Sequence, residues 1–378
     1  MDLLEQGFGC TVSICNVTEC LALHDEWLVL QEKSHQSCFL NWNWISAWLN
    51  TSSDITTQFV VVRATQNDKT IGLAIFSTKS KRTFYGKSLK QLWLNRTGCE
   101  TKDQVWIEHN DFLVASSDSA NIRKLMFNSL LAQTDLWDEI FIGLSPLHVT
   151  NAFQQEHHFT RELISSPSFD ADISKYATLS DYLQSLSKNT RSQINRSKRG
   201  LESLGELELS LAQTESDKKQ YLSEISALHI EKWGPTIHGS GFNNPIFVDF
   251  HQNILINDQS NQYTRLYRLR HNGKSLGYVY LLINSNTWSF YLSAIEFHED
   301  PKIKVGLLLH SMIIEQAIAV GVNTYDFLAG EAQYKKSLSN TLATEQKLVC
   351  FYRPTFYMLI REQLRKLKNL YHHHQSST

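Results

Sequence analysis

The clearest hydrophobic pattern lies in the last third of the chain. Arg265–Arg270 (RLYRLR) reads as a strand, and Asn272-Gly273 follows it. Asn-Gly after such a run marks a hairpin, because both residues tolerate positive φ. Ser275–Ile283 (SLGYVYLLI) is then a second strand and, after the polar turn Asn284–Thr287, Trp288–Ile295 a third. The spacing predicts an antiparallel meander. Gly306–Val320 is apolar on most faces, with Ser311 and Glu315 marking a narrow polar stripe. A helix this apolar packs against a sheet. Gly321 is placed as its C′ residue. Asn323–Leu328 (NTYDFL) predicts a short buried strand, Glu331–Leu338 a helix and Gln346–Tyr352 a strand. Phe356–Leu370 predicts a terminal amphipathic helix, with Pro354 just before it where it does least harm.

The first half repeats this wiring. Gln58–Ala64 is a strand, Asn67-Asp68 a turn, and Lys69-Thr70-Ile71-Gly72 opens the next strand. The matching run later is Lys274-Ser275-Leu276-Gly277. A helix at Ile122–Leu131 and a strand at Asp138–Gly143 (DEIFIG) parallel the later helix and its strand Tyr325–Gly330 (YDFLAG). Element order and the short run agree together, which points to a duplicated domain. Ser165-Ser166-Pro167-Ser168 reads as a linker, dividing the chain into units 1–165 and 166–378.

Length supports two units, since 378 residues exceed one ordinary core. The fold class expected is α+β, with mixed central sheets flanked by helices. A formal net charge of −2 gives no sign of a nucleic-acid binder. The start, MDLLEQGFGC, has acidic residues where a secretory signal needs basic ones. No stretch reaches the roughly 18–20 continuous apolar residues of a membrane span. A cytoplasmic location is expected. Cys10, Cys15 and Cys20 are evenly spaced but form no CxxC pair, so they read as free thiols and no metal is expected. The tail run His372–His374 reads as mobile.

Four clusters can carry chemistry. The loop before the apolar helix holds Lys302, Lys304 and Gly306, with Leu307 beside them. A helix N-terminus with basic residues and a glycine suits a phosphate, although a solvated loop has the same composition. After the short buried strand come Asp326, Glu331, Tyr334, Lys335 and Lys336. Asp326 or Glu331 would take a proton from an amine, Tyr334 would serve a leaving thiolate, and Lys335 would steady an oxyanion. The same spacing also suits a salt-bridged helix start, Glu331 pairing Lys335. The helix expected at Ser180–Leu204 carries Lys188, Arg191, Arg196, Lys198 and Arg199, either a solvated face or a phosphate-binding one. His229 and Trp233, one turn apart, are packing residues or part of a substrate pocket.

These clusters together resemble one family. The run GLLLHSMIIEQAIAVGVNTYDFLAGEAQYKKSL, Gly306–Leu338, is similar to that of GNAT-type acyltransferases related to the CelD cellulose-biosynthesis proteins, and more distantly to FemAB peptidoglycan aminoacyltransferases. Its carrying residues are Gly306, Gly321, Tyr325-Asp326-Phe327, Gly330-Glu331 and Tyr334-Lys335. KNTRSQINRSKRGLESLGELEL (Lys188–Leu209), LHIEKW with His229 and Trp233, and the segment His24–Leu49 resemble further parts of the family pattern. The family usually has a second glycine before the apolar helix; here the stretch is Lys304-Val305-Gly306-Leu307-Leu308.

The resemblance implies two tandem GNAT-like domains, the first without its glycine loop and non-catalytic, the second holding the acyl-CoA site. It implies acyl transfer from acyl-CoA to an amine, such as an amino sugar or a cell-envelope or polysaccharide precursor. Lys302, Lys304, Gly306 and Leu307 would hold the donor, and Arg191, Arg196, His229 and Trp233 the substrate. Lys335 falls where FemAB-like proteins carry a Phe-Lys pair. That branch implies an aminoacyl-tRNA as a rival donor. A non-catalytic binding role and transfer to a hydroxyl also stay open.

Overall fold

The computed structural model describes residues 7–34, 37–53, 56–83, 86–157 and 159–375, with the side chains of 52, 155, 156 and 366–375 outside that description. The N-terminal unit runs β1 (Phe8–Asn16), α1 (Val17–Leu21), α2 (His24–Gln31), α3 (Trp42–Ser52), β2 (Gln58–Gln66), β3 (Lys69–Arg82), β4 (Ser88–Leu94), β5 (Leu113–Val114), α4 (Ser119–Ala132), β6 (Glu139–Pro146), α5 (Leu147–Glu156) and β7 (Thr160–Asp172). The C-terminal unit opens with α6 (Leu179–Ser185) and α7 (Lys188–Glu202). It continues through β8 (Leu207–Leu211), α8 (Glu215–Trp233), α9 (Pro245–Asn257), β9 (Thr264–His271), β10 (Lys274–Asn284), β11 (Thr287–Ile295), α10 (Val305–Ala319), β12 (Thr324–Ala329), α11 (Gln333–Leu338), β13 (Thr344–Tyr352) and α12 (Phe356–Gln375).

The two units share their irregularities as well as their order. Each hairpin turns on two residues with positive φ, Asn67-Asp68 and Asn272-Gly273. Each skips one residue of register immediately before the matching glycine, at Ile71 before Gly72 and at Leu276 before Gly277. A neighbouring side chain packs closely over each glycine. A Cβ on Gly72 would meet Met126 Sδ at 2.5 Å, and one on Gly277 would meet Ile295 Cδ1 at 2.8 Å. Each unit then makes one parallel pair through a crossover helix, β4 with β6 and β11 with β12. The meander, the apolar helix, Gly321 at positive φ after it and the buried YDF strand all form where the sequence pattern puts them.

Two expectations do not hold. Ser165–Ser168 is no linker. It lies inside β7, which is flanked by β13 and β12 near the middle of one continuous sheet, in the order β1-β2-β3-β4-β6-β13-β7-β12-β11-β10-β9-β8. The last strand of each unit thus lies against the parallel strand of the other, β7 on β12 and β13 on β6. A cut between 165 and 166 would break this exchange. The basic helix is also interrupted: α6 ends at Ser185, and α7 restarts after Ser187, whose Oγ accepts from the Thr190 N–H at 3.1 Å. His372–His374 fall in the last turn of α12.

One core joins α1–α3, α4, α5, α8 and α9 around Trp27, Trp48, Phe76 and Tyr280. The other packs α6, α7 and α10 on the opposite face of the C-terminal strands, around Trp288, Tyr325 and Phe327. No helix among the described residues is long and apolar enough to cross a membrane.

Candidate active site between the two units

The parallel ladder of β11 and β12 holds only three residue pairs and ends at Ser289 opposite Asp326. Beyond that point the strands part. Leu328 takes φ +60 and Gly330 φ +124, and Tyr291–Ser293 become half-exposed in an otherwise buried run. A gap between parallel strands leaves backbone groups that a ligand can pair.

Charged groups converge on this gap from both units. The Ala329 N–H donates to Glu108 Oε2 at 2.6 Å, and Lys335 Nζ donates to the Ala329 carbonyl at 2.5 Å. Lys335 is buried and sits 5.9 Å from the Phe290 ring centroid. Burial pulls its pKa down, against the opposing charges of Glu108 and Asp326. Burial also pushes the Glu108 carboxyl up. Asp326 is held by the Leu328 N–H at 2.7 Å, and its Oδ2 lies 2.9 Å from His109 Nε2. Burial disfavours the imidazolium of His109, but Asp326, with Glu108 and Asp170 behind it, outweighs this and raises its pKa. The His109 Nδ1 has no hydrogen-bond partner among the described residues. Gln346 from β13 ties the cluster together: its Oε1 accepts from the His109 N–H at 2.9 Å, and its Nε2 donates to Ser168 Oγ at 3.1 Å.

His109 and Asp326 open onto a cavity of about 320 Å³ between the units, also lined by Cys38, Asp170, Asp111, Arg123 and His148. Arg123 and Asp111 form a buried bidentate pair at 2.6–2.9 Å, so they add little net charge. Asp170 accepts from Thr341 Oγ1 at 2.7 Å, and burial beside Asp326 raises its pKa. Burial pushes the Cys38 thiol up to about 12, which keeps it from acting as a thiolate. The cavity is thus acidic and suited to an amine.

The remaining candidates fall around this centre. Tyr334 stacks on His310 (5.6 Å, 11°) and meets Phe290 edge-on, and burial lifts its phenol to about 12. Glu331 is exposed and forms no ion pair with Lys335, whose ammonium turns to the strand end instead. Helix α10 begins without a side-chain cap. A Cβ on Gly306 would meet nothing closer than Ile295 Cγ1 at 4.0 Å, so the fold itself does not require glycine there. Lys302, Lys304 and Arg196 are exposed around that helix start, while Leu307 packs partly into the core. The Lys304 N–H is held by Ser197 Oγ at 2.8 Å. Arg191 instead donates to the carbonyls of Gln184 and Leu186 at the end of α6. His229 is held by Ser240 Oγ at 2.8 Å beside the exposed Trp233, and it joins none of the hydrogen bonds at the gap. No group of His, Cys, Asp and Glu suited to a metal exists among the described residues. Glu108, His109 and Asp170 escaped the sequence reading; adjacent acidic and basic residues in an unpatterned loop were the one available signal for Glu108 and His109, and nothing local marked Asp170.

Residues 188–336 match the acetyltransferase (GNAT) domain family. The C-terminal unit contains a GNAT domain, as N-acyltransferases of that type do. Solved structures share the fold over nearly the whole chain. A crystal structure of FemX is 10% identical, with TM-score 0.57, covering 91% of this chain and 97% of its own. L-PGS from Bacillus licheniformis is 10% identical, with TM-score 0.52, covering 91% and 95%. The C-terminal domain of a putative lysylphosphatidylglycerol synthetase from Agrobacterium fabrum is 9% identical, with TM-score 0.52, covering 88% and 92%. No curated protein sequence matches the chain.

Proposed function

We propose that this GNAT chain moves an acyl group from an acyl-CoA thioester to a primary amine, and that the β11–β12 gap is where the two meet. The observation that carries this reading is the arrangement around the gap. An uncapped helix start ringed by Lys302, Lys304 and Arg196 lies on one side, and the acidic cavity with the His109–Asp326 pair on the other. Phosphates suit the first and a cationic amine the second.

The acceptor amine enters the cavity as an ammonium beside Asp170 and Asp326. His109 takes its proton, Asp326 holding the imidazole by the other nitrogen. Its raised pKa makes His109 a stronger base than an ordinary imidazole. The amine nitrogen attacks the thioester carbonyl carbon, the C–N bond forms, and the carbonyl oxygen gains negative charge near Lys335. The C–S bond then breaks, Tyr334, a phenol that keeps its proton at neutral pH, donates to the leaving sulfur, and the second proton that the nitrogen loses on becoming an amide returns through solvent to restore Tyr334. The products are an amide and a thiol. The inert Cys38 supports direct attack over a covalent intermediate. An amino sugar or cell-envelope precursor fits as acceptor, and a cytoplasmic site of action fits an acyl-CoA donor.

Calorimetric titration with acetyl-CoA and a longer acyl-CoA tests the donor. Binding in the micromolar range is expected, and Gly306→Glu is expected to abolish it, because the carboxylate would stand where the phosphates lie. Absence of binding to any CoA would turn the reading toward an aminoacyl-tRNA donor. Lys335→Met is expected to lower kcat about 100-fold with the donor Kd little changed. An unchanged kcat would remove Lys335 from the chemistry.

A further inference from the structure

The N-terminal unit has the same kind of gap, and its own chain fills it. The β4–β6 ladder also holds three pairs, ending at Trp93 opposite Phe141. Past that point the segment leading into β5 occupies the space. Leu113 and Val114 pair with Leu73 and Gly72 of β3, where β4 has left off, and the Asn110 N–H donates to the Leu144 carbonyl at 2.9 Å.

Asn110 is the bridge. It is fully buried. Its Nδ2 donates to the Leu94 carbonyl at 2.8 Å and to the Gly143 carbonyl at 3.2 Å, one on each of the parting strands. Asn95 Nδ2 donates to Asn110 Oδ1 at 2.9 Å and fixes which way the amide faces. No aliphatic side chain would satisfy these carbonyls, and a carboxylate would repel them.

The two residues just before this anchor are Glu108 and His109. His109 sits at φ +45, a conformation that a non-glycine residue keeps only when its surroundings hold it. The clamp on the next residue supplies that constraint. We infer that Asn110 is the positioning residue of the His109–Asp326 pair: by closing the N-terminal unit's own gap, it delivers His109 and Glu108 to the gap of the C-terminal unit. The N-terminal unit is then an arm of the active site and holds no donor of its own. The catalytic meaning rests on the proposed function; the positioning itself does not.

The groups that face His109 are Asp326 on β12, Asp170 on β7, Gln346 on β13, the Asp111–Arg123 pair with Arg123 on α4, His148 on α5 and the adjoining Glu108. None is altered by Asn110→Ala, so a change in His109 titration reports its position. The test uses the full chain with ring-labelled histidine, the His109 signal being identified by its loss in His109→Gln. In the native protein it is expected to titrate above an ordinary imidazole. In Asn110→Ala its midpoint is expected to fall by about one pH unit, a tenfold loss of proton affinity. The low-pH limb of kcat/KM should move by the same amount. Should Asn110→Ala fail to fold, Asn95→Ala removes the bond that orients the amide, together with a longer one to the Asp111 carbonyl at 3.4 Å, leaves both bonds from Asn110 to the strands in place, and should give a smaller shift of the same sign.

A lowered melting temperature with the His109 midpoint unmoved in the folded variant would make Asn110 merely structural and overturn the inference. So would a native His109 that titrates as a free imidazole. Lack of activity with every acyl donor would sink the proposed function, while the NMR result would still decide the positioning role.

Discussion

Asp326→Asn is expected to lower kcat/KM for acyl transfer by about 10²–10⁴-fold, the usual worth of a positioned general base. Asp326 does three things that asparagine cannot do together. Its Oδ1 accepts the Leu328 N–H at the point where β12 turns away from β11, its Oδ2 holds His109 Nε2, and its charge raises the His109 pKa. An asparagine oxygen can keep one of the two hydrogen bonds, but its NH₂ group would face the other partner. The imidazole would lose both orientation and basicity. The acid limb of the pH profile, set by the base in the free enzyme, should therefore move to lower pH while the plateau falls. The measurement is kcat/KM against pH with one acyl-CoA and one amine. The stability of the variant should be followed beside it, because Asp326 is buried. A plateau within twofold of the native value would show that the amine loses its proton elsewhere, and the exposed Glu331 would be the next residue to replace.

The distinction between what was legible in the sequence and what was not is physical. The elements with a local signal were readable: Asn272-Gly273 dictates its own turn, a continuous run of strand-forming apolar residues marks β10, and the run Gly306–Ala319 is too apolar to be anything but packed. Asp326, Tyr334 and Lys335 stood out as candidates because they lie in or just after a short buried strand, within one stretch of chain. The partner half of the site was not. Glu108 and His109 lie in a loop without periodicity, more than two hundred residues before Asp326, and only the parting of β4 from β6 gives that loop a place to go. The exchange of β7 and β13 was hidden for a related reason. Ser165–Ser168 is polar with a proline, which reads as a linker, yet strands pair with it on both sides, and only beyond it do Phe169 and Ala171 of β7 enter a core. Arg191, a candidate phosphate contact by its charge, spends guanidinium hydrogen bonds on tying down the end of a helix, which composition alone does not reveal. Thus Asp326, Tyr334 and Lys335 are close in sequence, and their meeting with Glu108 and His109 is tertiary.

Burial of two neutral histidines predicts acid lability. His251 lies between Tyr280 and Tyr291, and His310 accepts or donates at Tyr325 Oη at 2.9 Å under the Tyr334 ring. Burial pushes both down to about 3. A histidine with a depressed folded pKa is harder to protonate in the folded chain than in the unfolded one. Its contribution to stability is full above the unfolded pKa of about 6.5 and is lost as pH falls below that value, down to the folded pKa. At pH 5 each costs about 2 kcal/mol relative to pH 7.5. The raised pKa of His109 acts with the opposite sign: its contribution is complete below about 6.5 and disappears as pH rises through its folded value. Glu108 and Asp170, also raised, likewise favour the folded state as pH falls. The bare pH dependence of the native chain therefore mixes both signs, and a difference measurement separates them. His310→Gln removes one depressed group and none of the raised ones. Urea unfolding of both proteins at pH 7.5 and pH 5 should show the variant less stable at the higher pH, from lost packing. That deficit should shrink by about 2 kcal/mol at the lower pH, where only the native chain must keep an imidazole neutral at position 310. An equal deficit at both pH values would mean that His310 accepts a proton inside the folded core, and the packing of α10 against β12 would then be looser than the buried ring contacts imply.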